Sequence, residues 1–232
     1  MAARVRPRTL QTAVVPNKAR ARFCYHAIIG GSPDDMNAFS AREERETYVA
    51  RHKLTVDEFH RMGEAGVLPR DARVELFEGE LIDMPPIGPA HASTVDHLVA
   101  LLSPLAQAAV LRVQNPLGVG QRSELIPDLM LLRKRPGGYT ASHPRPEDVL
   151  LLIEVSDTTL RYDRDDKMKL YAQQGVAESW LLDLGARSVE IYLLPGPEGY
   201  GQILRPVPEQ VIVPSLVPGF SAAMRELFPS GG

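Results

Sequence analysis

Val149-Leu150-Leu151-Leu152-Ile153-Glu154-Val155-Ser156 is the stretch on which the fold turns. Val149 to Ile153 is the most apolar run in the chain. Such a run is expected of a β-strand buried on both faces, inside a sheet that helices cover on either side. Glu154 closes the run, and period-2 alternation puts Ser156 on the same side of the strand as Glu154.

Upstream, past a loop at 133–146 rich in Lys, Arg, Gly, His and Pro, lies Ile126-Pro127-Asp128-Leu129-Met130-Leu131-Leu132. It reads as a second core strand with Asp128 at its start. A turn-rich stretch separates it from a strand at 110–114. Before that, Val95, Leu98, Val99, Leu102 and Leu105 recur at helical spacing, and Pro104 marks a break or restart. Pro85, Pro86 and Pro89 divide this helix from a hairpin of 73–77 and 80–84 about Glu78-Gly79. Thr55-Val56-Asp57-Glu58 is a capping box and opens a short helix to about Glu64.

Downstream, 161–174 is helical and ends at Gly175. Residues 178–183 and 188–194 form a second hairpin. Weak strand signals at 202–204 and 211–213 precede a short helix near 222–228. The fold class is α/β: one domain over 51–229, a mixed central β-sheet flanked by helices.

The 232 residues and 25.6 kDa allow one sizeable domain plus a segment. No apolar run approaches the roughly 20 residues that span a bilayer, and 1–22 has no secretory pattern. Cys24 stands alone, which excludes an internal disulfide and fits the cytoplasm. A net charge of -3 lacks the basic excess usual in nucleic-acid binders, although local basic clusters are compatible with it. Residues 1–50 carry Arg4, Arg6, Arg8, Lys18, Arg20 and Arg22 before the first acid, Asp34, with no sustained period. They read as a flexible or extension segment, ahead of a basic arm on nucleic acid and, third, a transit peptide.

Two carboxylates stand where core strands are otherwise apolar. An unpaired carboxylate there costs several kcal/mol, so each needs a cation, a donor or a metal. A wet strand end explains either one alone. Adjacent strand ends bring Asp128 and Glu154 to one point, and such a point suits a hard divalent cation such as Mg²⁺, for which Mn²⁺ is a substitute. A cation is then wanted beside such an ion to offset negative charge that builds up during attack, and Ser156, on the same side as Glu154, does not supply one. Lys167, four residues before Tyr171 on one helix face, offers a replacement; taken by itself it reads better as a solvated helix lysine. His91, at the start of a helix, reads as a cap-region residue or an accessory to phosphate or metal. Spacing predicts no zinc site, since Cys24 is alone and the six histidines show no ligand pattern. Walker A, dinucleotide and Gly-x-Ser-x-Gly motifs are absent.

Pro127-Asp128, Ile153-Glu154-Val155-Ser156, Tyr162-Asp163-Arg164 with Lys167 and Tyr171, Gly175-Val176 and Trp180-Leu181-Leu182-Asp183 together resemble the Uma-two family of restriction-endonuclease-like proteins, in the PD-(D/E)XK nuclease superfamily. Glu75-Leu76, Glu78-Gly79-Glu80-Leu81-Ile82 and Gly88-Pro89-Ala90-His91 extend the likeness, which runs from about Leu54 to Phe228. Ser179, where members usually have Tyr, and Asp157, without the usual nearby Pro, depart from it. The resemblance implies a restriction-endonuclease-like fold and Mg²⁺-dependent cleavage of DNA. It implies Asp128 and Glu154 as metal ligands with the Val155 carbonyl as a third. Lys167 would be the displaced motif lysine, Tyr171 its supporting tyrosine, and Glu75 an additional acid. Cutting both strands of a duplex then calls for a homodimer. The rival reading is a nuclease-fold module that no longer cuts and serves in binding or assembly.

Overall fold

The computed structural model describes residues 50–69 and 71–230, so the reading of the N-terminal segment lies almost wholly outside the described residues. The architecture belongs to the compact unit His52–Gly232. Helix α1 (Val56–Glu64) starts on the expected capping box: the Glu58 amide donates to Thr55 Oγ1, and the Thr55 amide donates to Glu58. Strands β1 (Val74–Phe77) and β2 (Glu80–Asp83) form the first hairpin. Both turn residues, Glu78 and Gly79, have positive φ, as a two-residue type I′ connection requires. Helix α2 (Pro89–Leu102) is followed by a 3₁₀ segment, Ser103–Gln107, whose second residue is Pro104.

Strands β3 (Val110–Val113), β4 (Leu117–Gly118), β5 (Glu124–Leu125), β6 (Leu129–Leu132) and β7 (Val149–Ser156) follow. After β7 the chain enters a π-helical turn, Tyr162–Lys167, continued by α3 (Met168–Gln173). The hairpin of β8 (Glu178–Asp183) and β9 (Ser188–Gly196) is extended by β10 (Gly199–Leu204). A small ladder of β11 (Val211–Ile212) and β12 (Ala222–Ala223) leads to a last 3₁₀ turn, Met224–Leu227.

The central sheet has six strands in the order β10-β9-β8-β7-β6-β3. Only β7 and β8 run parallel, joined through the π-turn and α3, so the sheet is mixed as expected. A second, four-stranded sheet has the order β2-β1-β5-β4.

Alternation along β6 and β7 explains the apolar run. Leu129, Leu131, Leu151, Ile153 and Val155 join the core with Val95, Leu98 and Leu102 of α2. Met130, Leu132 and Leu152 join the core with Met168, Leu170 and Tyr171 on the other face. Each face has its own helix, so β7 before Glu154 is apolar throughout, with Leu150 alone partly exposed. No helix among the described residues is long and apolar enough to cross a membrane.

Four local expectations need correction. The strand expected from Ile126 starts at Leu129, because Pro127 has no amide to donate and the amides of Ile126 and Asp128 donate to the Glu75 and Glu154 carboxylates instead. The strand expected to reach Gln114 stops at Val113, since Gln114 has φ +48. The turn-rich stretch between them holds β4 and β5. The expected C-terminal helix is β12 followed by a single 3₁₀ turn, too short for an α-helix.

Candidate active site

Register places the two core carboxylates together. Leu129 pairs with Ile153 and Met130 with Leu152 in the antiparallel β6–β7 ladder, so Asp128 lies opposite Glu154 on the α3 side of the sheet. Each carboxylate reaches the other strand's backbone. The Val155 amide donates to Asp128 Oδ2 at 2.9 Å, and the Asp128 amide donates to Glu154 Oε2 at a long 3.4 Å. A residue's amide and carbonyl share one edge of a strand, so the Val155 carbonyl also faces the Asp128 side. Asp128, Glu154 and Val155 line one cleft, with His91, Asp163 and Lys167 around them.

The helix after β7 supplies the cation. Lys167 is 1% exposed, which excludes the solvated alternative. Its Nζ lies 3.0 Å from Glu75 Oε1, 3.3 Å from Glu154 Oε1 and 3.9 Å from Asp163. The π-turn contributes to this placement: the Met168 amide bonds back to the Asp163 carbonyl, i→i−5, and the buried residues of the widened turn are Asp163 and Lys167. One helical turn later, Tyr171 Oη donates to Glu154 Oε1 at 2.7 Å. Glu75, from β1 of the second sheet, is fully buried and also accepts from the Ile126 amide at 2.7 Å. It thereby ties the first hairpin to the residues just before Asp128.

Burial dominates the electrostatics. It pushes the Glu154 carboxyl up to about 8; Lys167 partly offsets this, while Asp128, Asp163 and Glu75 reinforce it. Burial also raises Asp163, against the pull of Lys167 and Thr159. For Lys167 burial works toward the neutral form, but Glu154, Glu75 and Asp163 override it and hold the ammonium charged. The hydrogen bond that the His91 ring donates to Asp128 raises His91, against its own partial burial.

These residues fit a divalent cation. Glu75, Asp128, Glu154 and Asp163 are all at most 8% exposed, and facing them are one buried ammonium and the His91 imidazole. Glu75 Oε2 is buried without a hydrogen-bond partner. Lys167 and Tyr171 both contact Glu154 Oε1, whereas Glu154 Oε2 has only the long contact from the Asp128 amide and so has room for a metal. Asp128, Glu154 and the Val155 carbonyl are the oxygen donors such an ion would take.

All five side chains expected at the centre, Glu75, Asp128, Glu154, Lys167 and Tyr171, are therefore brought into one connected cluster. His91 joins it, with Nε2 3.1 Å from the Asp128 carboxylate. Sequence reasoning missed two members. Gln114 donates from Nε2 to Asp128 Oδ1 at 3.1 Å, and nothing but its place just past a strand pointed to it. Asp163 stands four residues before Lys167 on one helix face, a signal that was legible and passed over. Outside this cluster, the structure also draws together His60, Glu124 and His143, a donor group that ligand spacing did not predict.

The mixed six-stranded sheet with carboxylates crowded at the ends of two adjacent strands defines a restriction-endonuclease-like α/β protein. The chain belongs to the Uma2 family, described as "Putative restriction endonuclease", whose profile matches residues 56–225. It is similar in fold to a crystal structure from Anabaena variabilis ATCC 29413, described as "a putative nuclease belonging to DUF820". That likeness has a TM-score of 0.56 at 19% identity and covers 75% of this chain and 97% of the other. Comparison with curated proteins finds no match.

Proposed function

We propose that the chain is a Mg²⁺-dependent DNA endonuclease that works as a homodimer in the cytoplasm, with Mn²⁺ able to replace Mg²⁺. The observation that carries this reading is the Asp128–Glu154 pair on adjacent strand ends with the buried Lys167 ammonium beside it. Asp128, Glu154 and the Val155 carbonyl would hold the ion. An ion held there would supply an acidified water and a Lewis acid for the scissile phosphodiester.

The protein's own groups do the rest. Lys167 directs two of its three N–H donors at Glu75 and Glu154, has Asp163 3.9 Å away, and lines the cleft in which a phosphate oxygen would lie. Its charge offsets the negative charge that grows on the phosphorus oxygens during attack. Tyr171 fixes the Glu154 carboxylate, Glu75 fixes the ammonium, and His91 with Gln114 fixes Asp128. A single such site cuts one strand, so two copies are needed to sever a duplex.

The test is supercoiled plasmid incubated with the full chain in Mg²⁺, in Mn²⁺ and in EDTA, beside an Asp128→Ala variant. Nicked and then linear product in either metal alone, and none from the variant, is the expected result. Intact plasmid under every condition would favour the module that no longer cuts.

A further inference from the structure

We infer that His60, Glu124 and His143 form a second metal site, for Zn²⁺ or a similar transition-metal ion, separate in chemistry from the oxygen-donor site at Asp128. The three come from distant parts of the chain. His60 lies in α1, Glu124 in β5, and His143 in the loop between β6 and β7. One ligand atom from each lies within 4.8 Å of the others.

Glu124 is the anchor. It is 7% exposed, held in β5 between the β1 and β4 ladders, and both its oxygens face one nitrogen, His60 Nε2, at 2.9 and 3.0 Å. A single N–H shared by two oxygens of a buried carboxylate is a meagre supply of positive charge. The His143 ring stands edge-on to His60, with centroids 6.1 Å apart at 72°.

Two imidazoles and one carboxylate make a borderline ligand set, suited to Zn²⁺ and its neighbours rather than Mg²⁺. Zn–ligand bonds of 2.0–2.2 Å put tetrahedral ligand atoms roughly 3.3 Å apart. The His60–Glu124 pair, at 2.9 and 3.0 Å, needs to open by only a few tenths of an ångström to reach that separation. His143 must close in, and it sits exposed on a loop free of regular structure. Both histidines line an open cleft beside Gly63, Leu68 and Pro69, so the fourth position faces solvent and takes water or an exogenous ligand. Closure would clamp α1 and the 133–146 loop onto β5. Four residues after Glu124 comes Asp128, so the clamped strand β5 leads along the chain into the proposed active site.

The test is Zn²⁺ titration of the untagged full chain in competition with a chromophoric chelator, with Co²⁺ as a visible-spectrum probe. The His143→Ala variant alters an exposed loop side chain and should melt like the parent in EDTA. The parent and Asp128→Ala should each bind Zn²⁺ at this site, raise their melting temperature and show the strong absorption of tetrahedral Co²⁺. His143→Ala should lose the Co²⁺ band and bind at least about 10- to 100-fold more weakly, the loss that removing even an outer-shell partner of a metal site brings. Equal affinity in parent and His143→Ala would overturn the assignment. So would a Co²⁺ band that vanishes in Asp128→Ala instead, since the ion would then belong to the oxygen-donor site. Neither outcome depends on whether the chain cuts DNA.

Discussion

Lys167 sets the balance at the residue scale. Its ammonium is held between Glu75 and Glu154 with almost no solvent contact. Lys167→Met keeps the stem and removes the charge, leaving two buried carboxylates unpaired. The expected loss of stability is about 3–5 kcal/mol, read by denaturant unfolding in EDTA. In protein verified as folded at low temperature, cleavage should fall by on the order of 10²-fold or more. Glu154 adds a pH signature. Its folded carboxyl is raised from 4.5 to about 8, so the folded state binds the proton more tightly than the unfolded chain. The sign follows: this contribution is fully present below about 4.5 and disappears as pH rises through about 8. Metal-free protein should therefore lose melting temperature across that window, and Glu154→Gln should flatten the slope. Mg²⁺ competes with the same proton, so its affinity, measured by calorimetry, should climb as the pH rises. Asp128 and Glu154 were legible in the sequence because each interrupts an apolar run. Lys167 was only half legible, since periodicity gives its spacing to Tyr171 but not the face that the helix buries.

At the scale of elements, the first hairpin matters beyond its own ladder. It delivers Glu75 to the cluster, and its turn lies against the chain entering α1. Gly79 has φ +80, and an added Cβ would stand 2.7 Å from Lys53 Cβ and 2.9 Å from the Leu54 carbonyl oxygen. Gly79→Ala thus meets both a backbone strain and a steric clash, and should cost at least about 1–3 kcal/mol in thermal or chemical unfolding. An unchanged midpoint would mean that the 53–54 segment yields freely. The hairpins, the capping box and the core strands were readable because turn residues and period-2 runs are local signals. The π-turn was not: it reads as ordinary helix until tertiary packing rewards burial of Asp163 and Lys167. The short strands β4 and β5 also lack a local signature, since two residues are too few to show a period. The same reason hid the His60–Glu124–His143 group, whose members are separated by 64 and 19 positions and meet only through packing.

For the whole molecule, the sequence indicated an α/β fold with a mixed central sheet because the strands fall into two hairpins and one buried run. It gave no view of the two-sheet arrangement in which β1 pairs with β5, since that pairing joins segments about 50 residues apart through the single register Leu76–Glu124. The N-terminal segment showed no face to bury, so deleting residues 1–35 should leave the melting temperature nearly unchanged. A large drop would make that segment part of the fold. The central claim, that one divalent cation sits between the ends of β6 and β7, is tested most directly by anomalous diffraction from crystals of the full chain soaked in Mn²⁺. The account predicts a peak bonded to the Asp128 and Glu154 carboxylates and the Val155 carbonyl, lost in crystals of Asp128→Ala. Crystals saturated with Mn²⁺ that show no peak there would contradict it.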